Sequence, residues 1–137
     1  MNHALSSTTH AILRIGSALL FVEHGLQKLF GVAGGLGPNG ATAPLASLMG
    51  VAGILEFVGG LLLVIGLFTR PVALVLLAEM IVAFTMVHLP RGGWAIQNQG
   101  ELALLYAVVF AFLAANGAGS YSIDEGLPYK IGRRVGA

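Results

Sequence analysis

Cysteine is absent from this chain. That removes disulfides, thiol relays, cysteine-ligated iron–sulfur clusters and covalently attached c-type haem from the chemistry it can support. Charge is scarce as well, at 9% of 137 residues, against roughly 25% in an average soluble domain. Seven basic and six acidic side chains leave a net charge of +1. There is no basic stripe to follow a phosphate backbone, so nucleic acid is excluded as a partner. The opening MNHALSSTTH lacks the Lys/Arg n-region of a cleavable signal peptide, and no small-residue cleavage site follows at a suitable distance. The first apolar segment is therefore expected to be retained.

What is present is grease: 56% of residues are hydrophobic and mean hydropathy is +0.86. The first partner implied is the lipid bilayer. A crossing of its ~30 Å hydrocarbon core takes about 20 apolar residues, so four crossings would nearly exhaust one domain of this length. Gly/Pro-rich punctuation divides the chain into helices expected at about residues 9–30, 46–68, 71–89 and 101–115, followed by a polar tail over 116–137. The expected fold class is all-α, a transmembrane four-helix bundle. Arg70, Lys130, Arg133 and Arg134 fall on the side of the two termini and Arg91 on the other, which by the excess of positive charge places both termini in the cytoplasm.

The stretch LLFVEHGLQKLFG, from Leu19 to Gly31, puts Glu23, His24, Gln27 and Lys28 into such a segment. Each expected helix also holds a glutamate: Glu23, Glu56, Glu79 and Glu101. An ionisable group at the bilayer centre costs at least ~2.5–3.5 kcal/mol, so these groups should face the bundle and find partners. At about 1.5 Å of rise per residue, Arg14 and Glu79 come to similar depth, and an Arg14–Glu79 ion pair is the simplest neutralisation of both. His24, Lys28, His88 and Glu101 approach the opposite end, with Glu56 about midway down the second helix, so these five groups are expected to converge in one cavity. At about 100° per residue Arg14, His24 and Lys28 share an arc of about 80°, which marks the inward face of the first helix. Glu23 points away from it, toward Gln27 or an interface with another subunit. Ala52, Gly53, Gly59 and Gly60 cluster around Glu56 and favour close helix packing.

Two histidines in a membrane bundle raise haem or a metal, with His24 and His88 as axial ligands. Against this, no His/Glu pair stands at i,i+3 or i,i+4, and His88 sits beside Pro90 at a helix end. Neutral hydrogen-bonding histidines are preferred, a role that suits a quinone head group.

LRIGSALLFVEHGLQKLFG, GILEFVGGLLLVIGLFTRP, HLPRGGW, NQGE and GAGSYSID together resemble the DoxX family of small four-helix bacterial membrane proteins, in order and over nearly the whole chain. The family pattern maps to Arg14, to His24, Gly25, Lys28, Leu29 and Phe30, to Glu56, Gly59 and Gly60 with Thr69 and Arg70, to His88, Leu89 and Pro90, and to Asn98 and Glu101. One departure follows Glu101, where many relatives carry an aromatic residue and this chain has Leu102, with Tyr106 further on. The resemblance implies a multi-pass protein of the bacterial inner membrane working with quinone-linked redox partners.

The leading expectation is thus a membrane subunit of a quinone-linked oxidoreductase system. His24, Lys28 and Glu101 would bind or protonate the head group, Glu56 would relay protons, and His88 and Asn98 would help hold the cofactor. A redox protein is the expected partner, and a homodimer suits so small a bundle. Two other classes compete: a non-catalytic anchor or assembly subunit, and a small-molecule or proton conduit through Glu79, Glu56 and the outer cluster. The conduit has little lumen, and no discontinuous helix pair marks a transporter site.

Overall fold

We describe residues 2–128 of a computed structural model of the chain; among them every regular element is helical. Lys130, Arg133 and Arg134, on which the expected orientation partly rests, lie outside these residues. Helix α1 runs His3–Phe30, α2 Leu48–Ile65 and α3 Thr69–Arg91, and all three are long and apolar enough to cross a membrane. Helix α4, Glu101–Asn116, is apolar but shorter, about 24 Å at 1.5 Å per residue. Helix α1 begins well before the expected Thr9, because the polar HALSSTTH segment continues the same helix. A single turn, Ala95–Asn98, precedes α4 and another, Ile123–Gly126, follows it.

Punctuation explains the ends. Gly31 closes α1 in the left-handed region (φ 69°) and Gly66 closes α2 the same way (φ 68°), a conformation that costs glycine nothing. Pro71 lies in the first turn of α3, where backbone N–H groups have no intrahelical partner and proline removes nothing needed. The Gly31–Ser47 connection folds back on α1, with the Ala43 N–H donating to the Lys28 carbonyl at 2.7 Å.

The core is a column of Ala18, Phe21, Leu63, Leu76, Tyr106 and Phe110, with Phe21 meeting Phe110 edge-on at 4.8 Å. Large apolar side chains such as Leu20 and Val108 point outward, the distribution expected when the solvent is lipid. Helices α1 and α2 approach so closely that a Cβ on Gly25 would lie 2.5 Å from the Phe57 backbone nitrogen, and one on Gly60 would lie 2.6 Å from Val22 Cγ2. Small residues permit this contact, and packing replaces the hydrophobic drive that lipid withholds.

Candidate functional site: a cavity between α2 and α3

Both α2 and α3 widen by a π turn, at Leu55–Gly59 and Phe84–His88. Such turns occur often at functional sites because they re-aim side chains at some cost to the helix ladder. Here they carry Glu56 and His88, and a cavity of about 520 Å³ opens between them. Its walls are mostly aliphatic, and its polar residues are His24, Lys28, Glu56, Glu79, His88 and Gln99, with Tyr106 behind. That is the usual composition of a small-molecule site: an apolar body with few polar groups that fix orientation.

The cavity opens sideways. Val51 of α2 and Val75, Val82 and Met86 of α3 line it, yet they are 42% to 60% exposed, so its mouth faces the surface that meets lipid. Toward the α2–α3 turn the gap closes, since a Cβ on Gly59 would lie 3.0 Å from Leu76 Cδ2.

Inside, Lys28 and Glu56 form a two-pronged ion pair, with Nζ donating to Oε1 at 2.8 Å and to Oε2 at 2.7 Å. Both side chains are nearly buried, so each charge is neutralised by the other where water cannot do it. Lys28 is thereby engaged. The His24 ring lies between Phe21 and Tyr106, edge-on to the latter at 6.0 Å. His88 is fixed through Nδ1, 3.1 Å from the Asn98 carbonyl, and its ring stacks on Phe84. A carbonyl can only accept, so Nδ1 carries the proton and Nε2 is left as an acceptor in the neutral ring.

The expected Arg14–Glu79 pair does not form. Arg14 is fully buried but turns to backbone carbonyls: Nε donates to Ala118 at 2.9 Å, Nη1 to Leu63 and Val64 at 2.6 and 2.8 Å, and Nη2 to Tyr121. Leu63 and Val64 are at the C-terminus of α2, where carbonyls lack intrahelical donors and the helix dipole favours a cation. Several carbonyls arrayed around a fork of five N–H groups satisfy it better than one carboxylate would. Close by, Asp124 accepts from the Phe68 and Thr69 N–H groups at 2.8 Å each and caps α3. The TRP and GAGSYSID segments thus close this end of the molecule. Glu79 faces the cavity instead, and both its carboxylate oxygens are buried without a hydrogen-bond partner among the described residues.

Of the five groups expected to converge, His24, Lys28, Glu56 and His88 line the cavity and Glu101 does not. Glu101 is exposed at the start of α4, beside the lining residues Gln99 and Leu102, because it sits on the outer side of a first turn whose Ala103 is buried in the core. Asn98 is buried but spent on the backbone flanking its turn: its side chain donates to the Gly92 carbonyl at 2.7 Å and accepts from the Gly100 N–H at 2.8 Å. Its part in the cavity is to hold His88. Tyr106 takes the wall position that Leu102 leaves without an aromatic ring, stacked on Phe110. Its spacing on the α4 face buried with Ala103 and Phe110 was the available signal. Among the described residues, no three His, Asp or Glu side chains gather closely enough to hold a metal ion.

These features define a small all-helical membrane protein with a laterally open cavity floored by an ion pair. The family model for DoxX matches residues 9–89, and the chain belongs to the DoxX family. An uncharacterized protein of Haemophilus influenzae is 40% identical over 119 residues, covering 84% of this chain and 87% of its own. An uncharacterized membrane protein of Mycobacterium tuberculosis is 28% identical over 139 residues, covering 91% and 85%. No solved structure matches the chain.

Proposed function

We propose that this protein binds a quinone or quinol in the α2–α3 cavity as the membrane subunit of a quinone-linked oxidoreductase system, with a redox protein as its partner. One observation carries the reading: an apolar cavity of about 520 Å³ that opens toward lipid and holds histidine and carboxylate groups at its inner wall. A lipid-soluble ring with a polar edge fits such a space, because its tail can stay in the mouth while its oxygens meet the wall. When bound, a quinone supplies two-electron, two-proton redox chemistry; the chain's own residues orient it and exchange protons. His24 and His88 meet the head group. The Lys28–Glu56 pair supplies a fixed, net-neutral polar floor. Glu101, exposed beside the rim, would pass protons or meet the partner.

This reading has the four helices α1–α4 crossing the bacterial inner membrane with both termini cytoplasmic. The short α4 is accommodated by local thinning or by its flanking turn. The competing reading, an anchor whose charges only bind the helices together, accounts for Arg14 and Asp124 but leaves the cavity without a purpose. The test is lipid extraction and an optical spectrum of the protein purified in mild detergent, comparing wild type with His24→Ala and His88→Ala. Co-purifying quinone that is lost in folded variants is expected. A quinone-free wild type whose variants merely fail to accumulate would shift the assignment to the anchor.

A further inference from the structure

One charged side chain of α1 has no part in the cavity. Glu23 is exposed on the outer surface of the helix, seven residues before α1 ends at Phe30, which puts it about 10 Å inside that end. Ionisable groups within membrane spans face protein or a water-filled space, because lipid offers them no partner. Gln27 follows one turn later, yet neither side chain makes a hydrogen bond or ion pair with the other or with any described residue. Gly16 lies on the same face, about two turns before Glu23. Gly25, Gly53, Gly59 and Gly60 all press against a neighbouring helix, whereas a Cβ on Gly16 would meet nothing within 4 Å. A glycine weakens a helix interior, and inside the protomer this one gives no close packing in return.

Measured round the helix from Gly16 at about 100° per residue, Glu23 lies about 20° to one side and Gln27 about 20° to the other. A two-fold contact brings one side of such a line against the other side of its mate. A parallel two-fold axis through Gly16 therefore sets each Glu23 opposite Gln27 of the second copy, acceptor against donor. The same operation pairs Ile12 with Leu13 and Leu19 with Leu20, exposed apolar side chains that alternate across the line, while Gly16 lets the two backbones approach. We propose that this outer face of α1 is the surface on which a second copy of the chain docks, with reciprocal Glu23–Gln27 hydrogen bonds withdrawn from lipid. The proposal does not rest on the quinone reading: Phe21, His24 and Lys28, which line the cavity, are on the inward side of α1, and the mouth between α2 and α3 stays open in the dimer.

The experiment is oxidative cross-linking of the full chain in bacterial membranes that express it, and again in liposomes at rising lipid-to-protein ratio. The chain has no cysteine, so Gly16→Cys supplies the sole thiol, and Val108→Cys, at a position 68% exposed on α4, is the control. A covalent dimer is expected from Gly16→Cys and not from Val108→Cys. In the Gly16→Cys background, Glu23→Leu and Gln27→Leu should each weaken dimerisation about ten- to hundredfold, the loss of two symmetry-related hydrogen bonds in lipid. Glu23→Gln, whose amide still bonds Gln27, should stay within about threefold. The Tm of the detergent-dissolved monomer should hold or rise in all of them, because the protomer does not use this face.

No dimer from Gly16→Cys, as much dimer from Val108→Cys, or dimerisation that survives Glu23→Leu unchanged would overturn the proposal and leave the quinone reading untouched. An adduct of Gly16→Cys with a different membrane protein, lost in Glu23→Leu, would overturn the second copy as occupant and give this face to the redox partner. Should Glu23→Leu not accumulate, Gln27→Leu carries the same test, and a loss of dimer in Glu23→Gln as large as in Gln27→Leu would refute the reciprocal bonds. Quinone that fails to co-purify with a chain that still dimerises would overturn the quinone reading alone.

Discussion

The Lys28–Glu56 pair offers a test in which both the size and the order of effects follow from position. The side chains are 11% and 6% exposed and joined by two short bonds. Removing one partner of a buried pair leaves an uncompensated charge, which costs about 3–5 kcal/mol, whereas replacing both with apolar groups of similar volume is often neutral. The partners are not equivalent, however. Lys28 stands near the end of α1, which stops at Phe30, and its long stem can carry a stranded ammonium toward the headgroup region. Glu56 lies in the middle of α2 and has no such escape. Lys28→Met should therefore be the most damaging change, at about 3–5 kcal/mol. Glu56→Leu should cost about 1–3 kcal/mol, and the double variant should return to within about 1–2 kcal/mol of wild type. The assay is thermal unfolding in one detergent, followed by loss of the monodisperse elution peak, for all four proteins of the cycle. Additive single-variant losses, or Glu56→Leu as the worse of the two, would refute both the pairing and the account of its depth.

Other parts of the fold make equally direct predictions. Arg14→Lys should lose most of the stability that Arg14→Met loses, because an ammonium cannot span the four carbonyls of Leu63, Val64, Ala118 and Tyr121. Each carbonyl left unmatched costs about 1–3 kcal/mol where water cannot reach it, and the yield of folded protein measures the loss. Asp124→Asn replaces one of two acceptors with a donor facing an N–H and should destabilise by about 1–2 kcal/mol, with faster amide exchange at Phe68 and Thr69 as the local readout. Gly25→Ala should cost about 1–3 kcal/mol by forcing α1 and α2 apart, whereas Gly16→Ala, with nothing within 4 Å of its new Cβ, should be tolerated; comparative Tm values distinguish them.

The helices were legible because each apolar run is bounded by glycine or proline, and these residues act through the backbone alone. Site legibility was uneven for a physical reason. Glu56 stands out among small residues, and His24 and Lys28 share an arc of α1, so local geometry carries them to one place. Depth along a helix is a single coordinate: it puts Arg14 and Glu79 at one level without saying which way either turns. A search for oppositely charged side chains also overlooks carbonyls at helix ends, which every residue possesses and no letter of the sequence marks. Arg14 found four of them. Asp124 was hidden similarly: caps are sought beside the helix they close, and this one comes from 56 positions away along the chain. Glu101 was misplaced because the turn at Ala95–Asn98 leaves the first residue of α4 outside the bundle.

The clasp around Arg14 also bears on how the protein is made. Two of its four carbonyl acceptors, Ala118 and Tyr121, and the cap at Asp124 belong to the last described part of the chain. During synthesis α1, which ends at Phe30, is complete about ninety residues before they exist. Arg14 must then wait in a partly assembled intermediate, with α2's end as its first shelter. Segments before α1's midpoint and after α4 must also reach the same end of the bundle to meet at all. A chain cut after Asn116 would keep every long helix and the whole cavity, yet would leave this end unsealed and the inserted arginine half-satisfied, a natural mark for quality control.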